Sequence, residues 1–80
     1  MGFEYRIRFS VPAGMTRESI AQTLPDPTIA GSVWLAYDYA VEADGIYFLD
    51  NGRSDVSSVA FRRLVDAALG SGERVVIEEV

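Results

Sequence analysis

Residues 33–50 read VWLAYDYAVEADGIYFLD, and the placing of one turn inside this stretch decides the fold. Apolar and aromatic residues dominate it, Asp44-Gly45 is its one break, and it holds the single Trp and three of the four Tyr. An Asp-Gly pair between alternating apolar residues is a strong hairpin signal, because both central positions of a type I′ turn need positive φ. With the turn at Asp44-Gly45, Ala43 opposes Ile46, Glu42 opposes Tyr47, Val41 opposes Phe48 and Ala40 opposes Leu49. Successive strand side chains point to opposite faces. One face then carries Leu35, Tyr37, Tyr39, Val41, Ile46 and Phe48. The other carries Trp34, Ala36, Asp38, Ala40, Glu42, Tyr47 and Leu49.

Before the hairpin, Phe3, Tyr5, Ile7, Phe9 and Val11 alternate with Glu4, Arg6, Arg8 and Ser10. Period two over this length marks a half-buried strand, and Pro12-Ala13-Gly14 ends it. Thr16 is placed to cap a short helix through its side-chain oxygen, with Glu18 favoured in the first turn by the helix dipole. Ile20, Ala21 and Leu24 are expected on one face. Pro25-Asp26-Pro27 stops the helix, since a residue before Pro is pushed out of the α region. Residues 28–32 read as loop.

After the hairpin, Asp50-Asn51-Gly52-Arg53 reads as a turn and Ser54 as an N-cap. Phe61, Leu64, Val65, Ala68 and Leu69, flanked by Ala60, repeat at helical spacing. Arg62, Arg63 and Asp66 lie off that stripe, and Gly70 suits a left-handed C′ position. Glu73 to Val80 reads as a last strand, with Val75 and Ile77 toward the core.

The element order is β, α, β, β, α, β across a single domain, residues 1–80. This resembles the split βαβ pattern of ferredoxin-like domains. The resemblance implies an α+β fold: a four-stranded antiparallel sheet in order 4-1-3-2 with both helices on one face. Ile46-Tyr47-Phe48-Leu49 is the strand stretch without charge, as a central strand requires. The second and fourth strands are then edges, and their acids (Asp38, Glu42, Glu73, Glu78 and Glu79) discourage stray pairing. Such a fold hosts many unrelated functions, so function has to be argued from the surface.

Composition closes several routes. The chain has 80 residues and a net charge of −5, and a chain this short buries only ~60% of its unfolded surface, which favours support from a partner. The charge and the lack of a basic stripe argue against nucleic acid and against anionic membranes. There is no Cys, no His and no Lys, all seven basic residues being Arg. Thiol chemistry, the commonest general base and Schiff-base chemistry are therefore absent, and no cofactor is implied. No apolar run reaches the ~18 residues of a membrane span, and no signal-peptide pattern opens the chain. A soluble cytoplasmic protein is the expectation.

Three groups of residues deserve weighing. Arg6, Arg8, Trp34, Asp38, Tyr47 and Leu49 are expected on the sheet face that the helices leave open. Large aromatics with Arg are enriched at protein interfaces, which suggests a binding face for a second copy or another protein. The plainer alternative is that the Arg stems lie over the rings and cover the face. Asn51, Arg53 and Ser54 stand where a helix start could hold an anion, although their spacing matches no P-loop. Asp38 and Glu42 share a face but lie ~13 Å apart along a strand, too far for a glycosidase pair, so they read as solubility charge.

The expectation is a non-enzymatic interaction module. A rival is a small-molecule-binding domain or cofactor-independent enzyme with a pocket between sheet and loops, handled by Arg6, Arg8, Tyr37 or Tyr39. A further alternative is an acidic inhibitor or immunity-type partner of a basic protein, which the charge permits.

Overall fold

The alternating N-terminal segment forms β1 (Phe3–Arg8) and the two sides of the hairpin form β2 (Tyr37–Glu42) and β3 (Gly45–Asp50). Helix α1 (Arg17–Ala21) lies between β1 and β2, and α2 (Asp55–Leu69) between β3 and β4 (Val76–Glu79). These come from a computed structural model that describes residues 2–71 and 74–80. The four strands make one antiparallel sheet in order β2-β3-β1-β4. The fold is α+β with element order βαββαβ, and the strand order is the expected one read from the other edge. Among the described residues, no helix is long and apolar enough to cross a membrane.

The core lies against the Ile7–Phe48 face of the sheet. Ile7, Phe9, Tyr37, Tyr39, Ile46 and Phe48 form one buried cluster with Ile20 from α1 and Ala60, Leu64 and Ala68 from α2. Phe48 and Leu64 have no exposed surface, and burial of such a side chain stabilises by about 1.5–3 kcal/mol. Phe48 stacks on Tyr37 at 5.6 Å and tilts against Phe61 at 5.2 Å. Ile77 stands opposite Ile7, and opposed residues share a face, so Ile77 points coreward from the sheet's edge. Val75 is partly buried against the same cluster. Glu73 lies outside the described residues.

The hairpin departs from expectation in two ways. First, Glu42 pairs with Gly45, Val41 with Ile46, Ala40 with Tyr47 and Tyr39 with Phe48, so the turn is Ala43-Asp44. The cause is the approach of β1. Gly45 is paired with both Glu42 and Arg8, has φ +154°, and a Cβ there would sit 2.2 Å from the Ile7 carbonyl oxygen. Only glycine fits where β1 closes on β3, so Gly45 enters the sheet instead of the turn. The Phe9 and Val11 N–H groups donate to Asp44 and Ala43 carbonyls at 3.2 Å, carrying β1 along the turn. Because the slip is two residues, every strand side chain keeps its face.

Second, β2 begins at Tyr37, not Val33. The Ala36 N–H donates to the Pro27 carbonyl at 2.7 Å, and Thr28 bridges Leu35. The chain turns at Gly31, whose φ is +74°, with the Ser32 N–H on the Ile29 carbonyl at 3.1 Å. The Pro27–Leu35 excursion takes Trp34 out of the sheet and turns Ala36 inward, where it is 4% exposed.

The helices show smaller corrections. Thr16 caps α1 in a capping box with Ser19. Ile20 is buried and Leu24 half-buried, while Ala21 faces solvent. In α2 the buried row is Ser57, Ala60, Leu64 and Ala68, with Phe61 and Val65 half-buried. Leu69 is left 52% exposed, since it lies about 100° round the helix from Ala68. Ser57 is tolerated in the core because its hydroxyl donates to the Ser54 carbonyl at 2.9 Å. Gly70 keeps a right-handed φ of −65°, and its N–H donates to the Asp66 carbonyl at 2.9 Å, so no left-handed cap forms there.

The contact at Gly45 generates a test. Gly45→Ala is expected to lower unfolding free energy by roughly 2 kcal/mol or more, from overpacking plus positive-φ strain. Gly14→Ala meets no atom within 4 Å and is expected to change it by less than about 0.5 kcal/mol. Urea unfolding of both variants checks the contrast; equal midpoints would contradict the register.

Candidate functional site

The sheet face away from the core carries Arg6, Arg8, Asp38, Tyr47 and Leu49, as expected. The register brings Arg6 opposite Tyr47 on one side and Glu78 on the other. Charged partners cover this face. Arg6 Nη1 reaches Glu42 Oε1 at 2.9 Å, and its guanidinium lies 5.7 Å from the Tyr47 ring centre. Arg8 pairs with Glu78 and lies 3.9 Å from Asp44. The Tyr47 hydroxyl donates to Glu4 Oε1 at 2.5 Å. Exposed ion pairs of this kind add little stability individually, and Arg6 lies over the Tyr47 ring.

Asp38 sits on the same face but bends round the β2 edge. Its Oδ1 accepts the Tyr39 N–H at 2.8 Å and lies 3.1 Å from Arg17 Nη2. Arg17 also donates to the Tyr39 carbonyl, and its guanidinium lies 4.2 Å from the Tyr39 ring centre. The outward N–H and C=O of Tyr39 are thus both satisfied by side chains, which closes the middle of this edge to a further strand. Arg17 was not singled out in the sequence because the contact spans α1 to β2 and follows no local spacing.

Other expected handles are engaged within the fold. The Tyr37 hydroxyl donates to the Pro25 carbonyl at 2.5 Å and the Tyr39 hydroxyl to the Arg17 carbonyl at 3.2 Å. Asn51, Arg53 and Ser54 do not converge on a point. Asn51 Nδ2 donates to the Leu35 carbonyl at 3.0 Å, and the Arg53 guanidinium lies 3.8 Å from the Phe3 ring centre. Ser54 Oγ accepts the Ser57 N–H at 3.2 Å. Arg53 holds φ +53°, a conformation supported by its N–H on the carboxylate of buried Asp50 at 2.7 Å.

Trp34 stands apart from these residues. It is 71% exposed, Val33 is 96% exposed, and Ile29 and Leu35 are 40% and 41% exposed. Gly2, Ile29, Ser32, Trp34 and Asn51 line a cavity of about 550 Å³ at the base of this segment. The sequence shows the Trp but not the cavity, because Gly2 and Asn51 reach it only once β1 and β3 are paired. A second cleft, about 600 Å³, runs between Arg8, Phe9, Ser10, Ala43, Asp44 and Arg74; its charges Arg8 and Asp44 already face each other. Among the described residues, no three His, Cys, Asp or Glu side chains are grouped to hold a metal. Comparison with protein-family models, curated proteins and solved structures finds no match.

Three tyrosines are perturbed. Burial pushes the Tyr37 and Tyr39 phenols up from 10.0, and the hydrogen bond to Glu4 does the same for Tyr47. Asp26 is held below 3.8 by the hydroxyl and N–H of Thr28, which tie down the Pro25–Thr28 loop. A raised phenol pKa means the folded state keeps protons that the unfolded chain has lost. Stability from these tyrosines is therefore complete below the ordinary value of 10.0 and falls as pH rises beyond it. Ultraviolet titration of phenolate is expected to show three late tyrosines in the folded protein, and Glu4→Gln to bring Tyr47 back toward 10.0. Tyr37, Tyr39 and Tyr47 all titrating at the ordinary value would contradict the contacts.

Proposed function

We propose that the chain is a protein-binding module of ferredoxin-like architecture, whose contact surface is the Ile29–Leu35 segment with Trp34 at its centre. Architecture is supported by the βαββαβ order, the β2-β3-β1-β4 sheet and the meeting of Ile20 from α1 with Leu64 from α2 in one core cluster. That meeting favours both helices on one side. The single observation that carries the functional reading is the exposure of Trp34 and Val33, at 71% and 96%, beside Ile29 and Leu35. A small domain gains nothing in its own core from these side chains, and exposed apolar clusters with an aromatic anchor are what interfaces use. The charged lattice over the open sheet face makes that face the rim, not the centre, of such a contact.

A second reading rests on the cavity. About 550 Å³ falls within the ~300–1,000 Å³ of small-molecule sites, with Ser32 and Asn51 as polar handles and Trp34 as a stacking wall. Among the described residues it has no titratable lining group, which favours binding over catalysis.

The two readings separate by experiment. Val33→Ser with Trp34→Ser leaves the core untouched and is expected to keep the melting temperature within about 2 °C. Wild-type chain is expected to retain a protein partner in stoichiometric amount that the double variant loses, and the purified partner to shift Trp34 emission to the blue. Equal retention by both chains would refute the protein-binding surface; a blue shift with low-molecular-weight extract alone would favour the cavity reading.

A further inference from the structure

The two edges of the sheet are finished differently. At β2 the outward groups of Tyr39 are closed by Asp38 and Arg17, and beyond them the Pro27 carbonyl and Thr28 occupy Ala36 and Leu35. At β4 every residue is exposed, with Val76 at 41% and Ile77 at 46%. The Val80 N–H donates to the Glu4 carbonyl at 2.8 Å, so the even-numbered residues of this strand bond β1. In an antiparallel ladder the alternate residues then point their N–H and C=O the other way. Those of Val75, Ile77 and Glu79 face outward, where no described element lies alongside.

We propose that β4 pairs antiparallel with β4 of a second copy of this chain, joining two sheets into one of eight strands. The occupant follows from the edge's own sequence. Strands in an antiparallel pair must match outward residues with outward ones, so the two-fold axis passes through a residue and not between two. Centred on Val76, it sets Val76 against Val76, Val75 against Ile77, and Arg74 against Glu78, the last two pairs occurring twice by symmetry. Arg74 and Glu78 then form a non-hydrogen-bonded pair, in which side chains approach most closely. Axes nearer the C-terminus lack that attraction: one through Ile77 sets Glu78 against Val76 and Glu79 against Val75, and one through Glu78 sets that acid against itself. The Arg74–Glu78 pairs favour the axis through Val76, while the next pair outward in sequence, Glu73 against Glu79, is repulsive and keeps the dimer weak. Each copy carries −5, so approach is repulsive overall and the Arg74–Glu78 pairs are the local exception. The short strand predicts a small interface and a weak dimer. This dimer does not depend on the Trp34 surface, which lies in the loop before β2.

Sedimentation of the full chain from about 1 µM to about 500 µM tests it, a range that spans weak self-association. The expected result is a mass rising from one copy toward two. Ile77→Pro removes an outward N–H that β1 does not use, a place where an edge strand accepts proline. Arg74→Glu reverses an exposed charge and leaves folding intact even if the proline does not. Each is expected to raise the dissociation constant at least about tenfold, while Val33→Ser with Trp34→Ser leaves it unchanged. A chain that stays monomeric throughout, a dimer indifferent to Arg74→Glu, or one abolished by the loop variant would each overturn the proposal.

Discussion

The close approach of β1 to Gly45 is the constraint on which the rest of the sheet depends. With no side chain at position 45, the Ile7 carbonyl can lie where a Cβ would be. That contact draws Gly45 into the ladder with Arg8 and Glu42 together. It thereby sets the register of β1 on β3 and of β3 on β2 at once. Phe48 then lands between Tyr5 and Tyr39 in the ladder, beneath Phe61 and Leu64. Burial does the stabilising, but the glycine decides which residues are buried together.

Once that register is fixed, the outer surfaces acquire distinct characters. The face of the sheet away from the core is tiled by Arg6, Arg8, Glu4, Glu42, Tyr47 and Glu78, paired among themselves. Its β2 edge is closed by a helix residue, Arg17, acting with Asp38. Among the described residues, apolar side chains stand exposed in the Ile29–Leu35 segment and along the β4 edge. The first is apolar and carries the one Trp; the second is apolar at Val76 and Ile77 and acidic just beyond. A small core limits stability, so association at either surface would also stabilise the fold.

Much of this was legible in the sequence because it is written in short-range periods. Alternation from Phe3 to Phe9 and from Tyr37 to Val41 marked the core face, and the uncharged Ile46–Leu49 stretch marked a central strand. Thr16 and Ser54 announced both helix starts. The failures have a common cause, which is long-range contact. Asp44-Gly45 has the composition of a turn, yet the backbone of β1 claims the glycine. Val33–Ala36 has the composition of a strand, yet the Pro27 carbonyl captures Ala36 and expels Trp34. Faces survived the register error because it was two residues; Trp34 and Ala36 did not, because they left the strand altogether. The Arg17 clasp and the cavity beside Gly2 join residues distant in sequence and had no local signature.

Amide hydrogen exchange at single-residue resolution tests the central claim most directly, since one edge is held to be closed by its own side chains and the other open. At low protein concentration the Tyr39 N–H, held by Asp38, is predicted to exchange more slowly than the outward N–H groups of Ile77 and Glu79. Raising the concentration is predicted to slow Ile77 and leave Tyr39 unchanged. An Ile77 amide as protected as that of Tyr39 at low concentration, or one indifferent to concentration, would contradict the account.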